Sequence, residues 1–189
     1  SGVSQRVYDE NGTPTDGIFD SGADLESRLK RARNGALMLN GGGGEIFRNF
    51  FYLPDRAYSV RELLWTFYSQ FDPRAATIAF RESEHYELLE HSVRQSIGAG
   101  AGVLQRFQVE RVYPYFRCGF WMGRNNSLNN RLGYALTPFI EPGLVTAAAK
   151  VPLAHKNHGR FEAALIAAAD PGLARYASAY GHDFVSPPH

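Results

Sequence analysis

Four consecutive glycines are the feature of this sequence that most directly indicates chemistry. They form Gly41–Gly44, between a short apolar run, Ala36–Leu39, and an acid, Glu45. Successive glycines let the backbone approach a ligand closely, and N–H groups at a helix start attract phosphate. The spacing matches neither the dinucleotide fingerprint nor the P-loop, which ends in Gly-Lys-Ser/Thr. The local pattern leaves two interpretations open: a phosphate or pyrophosphate site, or a tight strand-to-helix turn with Glu45 in the first helical turn.

Cationic side chains towards the C-terminus are the second group that could bind phosphate. His155, Lys156, His158 and Arg160 lie between two predicted helices, and His182 follows further along. Lysine and arginine bind phosphate through charge-assisted hydrogen bonds. We predict Lys156, Arg160 and His182 as possible phosphate contacts, with an ordinary surface loop as the alternative for the 155–160 cluster.

The elements that must position these residues are mostly helical. Residues 5–22 are rich in turn-forming types and predict an irregular lead-in. Ser59 and Ser83 are predicted helix caps, and the Asn-rich stretch 123–134 is predicted as a loop or irregular helix start. Apolar periodicity predicts helices over 24–34, 61–71, 84–98, 143–151, 159–169, from Val103 until Pro114, and from Asp170 to about Tyr180.

The run Ala36–Leu39 predicts the one clear strand, within 36–40. An all-apolar run bounded by glycines is typical of a strand buried on both faces of a parallel sheet. A parallel strand needs partners. We therefore expect either that the chain is a fragment of a larger domain or that partner strands come from elsewhere.

Length and composition limit the class of protein. The chain has 189 residues, 44% of them hydrophobic, which suits a single domain or domain fragment over 1–189. Lys and Arg number 20 against 19 Asp and Glu, so no net field draws the chain to nucleic acid or an anionic membrane. The lone Cys118 predicts a reducing compartment, and with no spanning segment or signal pattern we expect a cytoplasmic protein.

A second motif lies about a hundred residues after the glycines. Thr137–Val145 reads TPFIEPGLV and is followed by Val151 and Pro152, which predicts a rigid turn and a helix start. In order along the chain, LNGGGGEIFRNF resembles the family loop LSGEGxDExFGGY, and TPFIEPGLVTAAAKVP resembles RxPFLDxxLVxxAxxLP. The two family patterns come from the ATP-pyrophosphatase domain of the asparagine synthetase family, which this chain therefore resembles. The resemblance covers most of the chain after the lead-in.

The resemblance implies an ATP-dependent amide-forming ligase. In that chemistry ATP activates a small-molecule carboxylate as an acyl-adenylate, pyrophosphate leaves, and an amine or ammonia attacks the ester. It implies that Gly41–Gly44 line the nucleotide or pyrophosphate site, that Glu45 is the catalytic and magnesium-binding acid, and that Glu141 fixes its loop. The implied fold is the helical C-terminal half of an adenine-nucleotide-α-hydrolase-like α/β domain, so we expect a mainly α chain.

Departures from the family pattern restrict what the resemblance implies. The family's Glu in GEG is Gly42 here, and Glu45 stands alone where the family has an acidic pair. Tyr180–Phe184 contains no lysine where the family has one, and His182 is the nearest cation. The SGGxDS loop that binds ATP and the glutaminase Cys are expected upstream, in a partner part of the parent protein. ATP and Mg²⁺ are therefore implied for the intact parent, and we expect this chain alone to be inactive and to need no cofactor.

Two other functions remain open. A degenerate, non-catalytic homologue would act as a binding or regulatory module. An independent helical interaction domain would use the glycines only as a turn, and it predicts that Leu37 and Leu39 are unpaired or exposed beside a core formed elsewhere. Apolar surface left by missing strands would favour self-association into a homo-oligomer.

Overall fold

The computed structural model describes residues 22–69, 74, 76–178 and 181–186. Residues 5–21 of the predicted lead-in and Tyr180 lie outside this range. The described chain is mostly helical with two short strands, which confirms the prediction of a mainly α protein. Within the described ranges, no helix has both the length and the apolar character required to cross a membrane.

Eight α-helical segments and two strands are the main elements of the described chain. In order they are α1 (Gly22–Arg33), β1 (Met38–Leu39), α2 (Val60–Tyr68), α3 (Glu82–Ile97), α4 (Arg106–Val112), α5 (Gly123–Leu132), β2 (Ala135–Leu136), α6 (Pro142–Ala149), α7 (Leu153–Lys156) and α8 (Arg160–Ala169). A π-helical segment, Tyr113–Met122, joins α4 to α5. Short 3₁₀ turns lie at Gly44–Phe47, Pro138–Ile140, Asn157–Gly159 and Leu173–Arg175.

The chain divides into two compact units. Described residues 22–44 and 117–144 belong to the first unit, and described residues from 45–116 and 145–186 belong to the second. The prediction of one domain over 1–189 did not anticipate this division, although two units are compatible with a fragment of a larger domain.

The first unit is built around the parallel strand pair. Met38 pairs with Ala135 and Leu39 with Leu136, so the partner of β1 comes from within this chain. The expectation that β1 is buried on both faces was wrong, because Leu39 is 71% exposed. The strand is apolar, but in the described chain it has only one neighbouring strand and no covering layer over that side chain.

Helices α1 and α5 supply the core of this unit. Leu25 and Leu128 are completely buried against each other, with Leu29 and Leu132 packed alongside. The stretch 123–134, predicted as a loop or irregular helix start, is mostly regular helix, because periodic leucines outweigh the weak helix propensity of asparagine. The side chain of Asn129 donates to Asn125 one turn earlier at 2.7 Å, which satisfies part of this polar surface.

Helices α2, α3 and α4 form most of the core of the second unit. The predicted cap on α2 is confirmed, since Ser59 Oγ accepts from the Glu62 amide at 3.0 Å. Fully buried residues of this core are Tyr58, Val60, Leu63, Leu64, Val93, Leu104, Val109 and Val112. The backbones of Tyr58 and Leu104 form an antiparallel bridge that ties the segment before α2 to the segment before α4.

Three helix boundaries differ from prediction. Helix α3 begins before Ser83 with Arg81 at its N-cap, so Ser83 does not cap it. The helix predicted to end at Pro114 continues past it, as the π-helical segment that follows α4. Pro114 lacks an N–H, and it lies where the hydrogen-bond pattern changes from α to π. In the described residues after Asp170 the one helical segment is the 3₁₀ turn Leu173–Arg175, because the Asp170 carboxylate accepts from the Gly172 amide and closes a local turn instead of starting a long helix.

Candidate functional site

The two motifs singled out in the sequence come from neighbouring strands of one parallel pair. Gly41–Gly44 follows β1, and the Thr137–Glu141 segment follows β2. Parallel strands end at the same edge, so both motifs emerge there side by side. In open α/β sheets, ligands bind outside the carboxyl ends of the strands. The strand pair thus brings two segments that are far apart in sequence to one edge.

Gly43 makes the tightest contact between the motifs. Its φ of +90° favours glycine, and a Cβ added there would lie 2.7 Å from Ile140 Cγ2. Gly44 would place a Cβ 3.5 Å from the Phe139 ring. Gly43 and Gly44 therefore allow the first motif to pack closely against Phe139 and Ile140 of the second.

A single amide side chain from α5 joins the two motifs by hydrogen bonds. Asn126 Oδ1 accepts from Thr137 Oγ1 at 2.7 Å and from Asn40 Nδ2 at 3.3 Å. Thr137 is buried, so its hydroxyl depends on this acceptor. Asn126 was not predicted as part of the site, since nothing in the Asn-rich stretch distinguishes it from its neighbours.

Two of the four glycine amides are already used within the turn. Gly42 N donates to Asn40 Oδ1 at 2.9 Å, and Gly44 N donates to the Gly41 carbonyl at 3.2 Å. The N–H groups of Gly41 and of the buried Gly43 have no acceptor among the described residues. Buried backbone N–H groups are seldom left without a partner. The turn therefore has capacity for an oxyanion at Gly41 and Gly43.

A small polar pocket lies at the start of this turn, within the first unit. Its volume is about 180 Å³, and its polar lining residues are Arg28, Arg31, Asn40, Gly41, Asn125 and Asn129. Arg28 Nη1 donates to Asn129 Oδ1 at 2.6 Å, which orients one guanidinium. Two arginines beside a glycine turn are suited to a phosphate.

Glu45 lies in the second unit, in a setting unlike the predicted one. It belongs to the 3₁₀ turn Gly44–Phe47 and not to a full helix, so the predicted helix-dipole stabilisation does not apply. Its Oε2 accepts from the Tyr113 hydroxyl at 2.5 Å, and its Oε1 lies 3.6 Å from Arg48 Nη2. Glu45 is therefore held in place by a hydrogen bond to one of its carboxylate oxygens and an ion pair at the other.

Magnesium is the metal that the resemblance implies at Glu45. No group of three or more potential metal-binding His, Cys, Asp or Glu side chains occurs in the part of the chain that the structure describes. Protein-bound Mg²⁺ commonly uses one or two carboxylates and takes its other ligands from phosphates and water. Each carboxylate oxygen of Glu45 keeps a second lone pair beside its present partner. A single carboxylate fits a magnesium held mainly by phosphates.

The predicted basic cluster at 155–160 does not form one surface. His155, His158 and Arg160 are exposed, whereas Lys156 is only 5% exposed. His182 Nδ1 lies 2.8 Å from the Asp183 carbonyl oxygen. The surface-loop alternative therefore suits three of the four cluster residues but not Lys156.

Lys156 instead lines a cavity of about 410 Å³ in the second unit, which Glu45 also lines. Arg106, itself 5% exposed, forms one wall: its Nη1 donates to Glu110 Oε1 and its Nη2 to Asn49 Oδ1, both at 2.6 Å. The backbone N–H of Asn49 donates to the backbone carbonyl of Lys156 at 3.2 Å. Two predicted site residues thus share one cavity, together with a buried polar network that the sequence did not reveal.

The electrostatics of the cavity act on Lys156. Burial lowers the pKa of its ammonium, Glu110 opposes that shift, and Arg106 adds to it. No described side chain accepts a hydrogen bond from this ammonium, or forms an ion pair with it within 4 Å. The side chain of Lys156 is therefore largely buried, and Glu110 neutralises its charge only in part.

Comparisons of this chain with protein-family models, with curated proteins and with solved structures gave no match.

Proposed function

We propose that this chain is part of an ATP-dependent amide-forming ligase resembling asparagine synthetase, and that it is inactive alone. The observation that supports the proposal best is the parallel β1–β2 pair, from whose carboxyl ends the two resembling motifs emerge together. An adenylating ligase needs a rigid loop at that edge to hold phosphates.

Within the first unit, the free N–H groups of Gly41 and Gly43 are the donors proposed for the pyrophosphate portion of ATP. Arg28 and Arg31 line the adjoining pocket and would neutralise its charge. Of the four predicted glycines, Gly42 and Gly44 act indirectly, because their amides hold the turn itself.

The resemblance assigns Glu45, in the second unit, to catalysis and magnesium. Its carboxylate, fixed by Tyr113 and Arg48, is compatible with holding magnesium. Lys156, Arg160 and His182 remain predictions as phosphate contacts, and Lys156 is buried where the other two residues are not.

A non-catalytic homologue is the second candidate function. It is favoured by Gly42, which replaces the family's Glu, and by the bond between Glu45 and Tyr113, which occupies part of the one remaining acid. The independent interaction domain is favoured by Leu37 and Leu39, whose side chains are 57% and 71% exposed. Against it, β1 is hydrogen-bonded to β2, with Asn40 N donating to the Leu136 carbonyl at 2.9 Å.

Exchange of labelled pyrophosphate into ATP separates these functions. We expect no exchange by the 189-residue chain. Exchange is expected when the chain is produced together with an upstream segment that carries an SGGxDS loop, and Glu45→Gln should lower it. Arg175→Gln, at an exposed position outside the proposed site, is the control. A parent protein that binds ATP without exchange would establish the non-catalytic homologue, and one without any SGGxDS loop would refute the ligase proposal.

A further inference from the structure

The cavity of the second unit contains buried charges that its own residues do not balance. Arg106 and Lys156 are both buried, and both lie near one carboxylate, Glu110. Glu110 Oε1 is committed to Arg106 Nη1 at 2.6 Å, and the remaining guanidinium bonds go to neutral oxygens of Asn49 and Leu53. A buried charge is costly unless it is paired. One carboxylate thus serves two buried cations.

The other charged groups of the cavity leave the same excess. Four cationic side chains line it against three anionic ones, namely Lys150, Lys156, Arg106 and Arg111 against Glu45, Asp55 and Glu110. Glu45 is moreover engaged by Arg48 and Tyr113, and so contributes little towards Lys156. A ligand that carries one negative charge would complete the balance.

The other residues that line the cavity indicate the size and polarity of the uncharged part of that ligand. Aromatic and aliphatic side chains make up the apolar wall: Phe50, Phe51, Phe107, Val145, Val151 and Leu153. Phe50 and Phe51 pack edge to face at 5.0 Å, so part of this wall is preorganised. A volume of about 410 Å³ lies within the range of small-molecule pockets and exceeds what a bare inorganic anion fills.

We propose that this cavity binds a small organic anion, whose negative group lies at Lys156 and whose apolar body lies among the phenylalanines. The site belongs to the second unit alone and does not depend on whether the chain takes part in adenylation. Loss of pyrophosphate exchange and loss of anion binding are separate measurements, so either proposal can fail without the other.

Titration calorimetry with matched probes tests the site in the full chain. Phenylacetate and phenyl phosphate carry the anion on an aromatic body, phenylacetamide removes the charge, and inorganic phosphate removes the body. At least one aromatic anion is expected to bind, and phenylacetamide and inorganic phosphate at least tenfold more weakly. Equal binding of phenylacetamide would refute recognition of the charge, tighter binding of inorganic phosphate would refute the organic body, and no binding by either aromatic anion would refute the site.

Lys156→Met is the decisive variant, with Lys30→Met as the control on the exposed face of α1. We expect Lys156→Met to weaken the aromatic anion by roughly ten- to a hundredfold, since a charge-assisted hydrogen bond is lost, and Lys30→Met to leave binding unchanged. If Lys156→Met fails to fold, nuclear magnetic resonance of the labelled lysine side chains in the unaltered protein replaces it. Bound anion should then raise the pKa of Lys156, and an unchanged pKa at saturation would overturn the proposal.

Discussion

Replacing Gly43 with alanine tests how tightly the two motifs of the first unit are packed. The alanine would keep a φ of +90°, which costs an L-residue ~1–2 kcal/mol. Its Cβ would lie 2.7 Å from Ile140 Cγ2, and relieving such an overlap in a packed region costs ~1–3 kcal/mol. We therefore expect Gly43→Ala to lower the free energy of unfolding by about 2–5 kcal/mol.

The matched control is Gly41→Ala, two residues earlier in the same turn. An added Cβ there meets no atom within 4 Å and its φ lies outside the left-handed range, so we expect a change within about 1 kcal/mol. Urea unfolding followed by circular dichroism measures both variants, and calorimetry should show a lower melting temperature for Gly43→Ala by roughly 4–20 °C. Equal stability of the two variants would refute the close packing of Gly43 against Ile140.

Three further predictions concern polar groups that are buried or partly buried. Asn126→Ala should destabilise the protein by about 1–3 kcal/mol because two donors lose their shared acceptor; thermal melts should show that Asn126→Asp, which keeps an acceptor oxygen, loses less. Asn49→Ala should cost ~1.5–3 kcal/mol by leaving Arg106 Nη2 without an acceptor, and urea melts in which Asn49→Ala matches the parent protein would contradict this. Burial lowers the pKa of Lys156 from 10.5, so between that lowered pKa and 10.5 the unfolded chain binds more protons and the free energy of unfolding should rise with pH. Urea melts over that range should lose this rise in Lys156→Met but keep it in Lys30→Met.

Local signals predicted most of the helices. Apolar periodicity and a serine cap located α2, and α1, α6 and α8 lie close to their predicted ranges, because these patterns are read within one or two helical turns. The helix predicted after Asp170 was wrong because the Asp170 carboxylate closes a turn there. Apolar periodicity does not show whether a side chain will form such a local hydrogen bond.

Non-local contacts were the part that the sequence could not predict. The partner of β1 lies almost a hundred residues away, in a two-residue strand with no distinctive pattern of its own. Lys156 was predicted within a basic cluster, as a possible phosphate contact or as part of a surface loop, yet the packing of α7 buries it. Side-chain burial at one position of a short helix depends on tertiary packing, which composition alone does not determine.

The space beside Gly42 is filled by a methionine of the same unit. Where the family has a glutamate, a Cβ added at position 42 would lie 1.8 Å from Met122 Cε and 3.0 Å from its Sδ. Met122 is buried, so any side chain at position 42 requires it to move. These atoms are the far end of a flexible side chain, so the cost of the substitution depends on how far Met122 can change its rotamer within the packed unit. Gly42→Glu should therefore lower the free energy of unfolding, and a smaller residue in place of Met122 should recover part of that loss in urea melts.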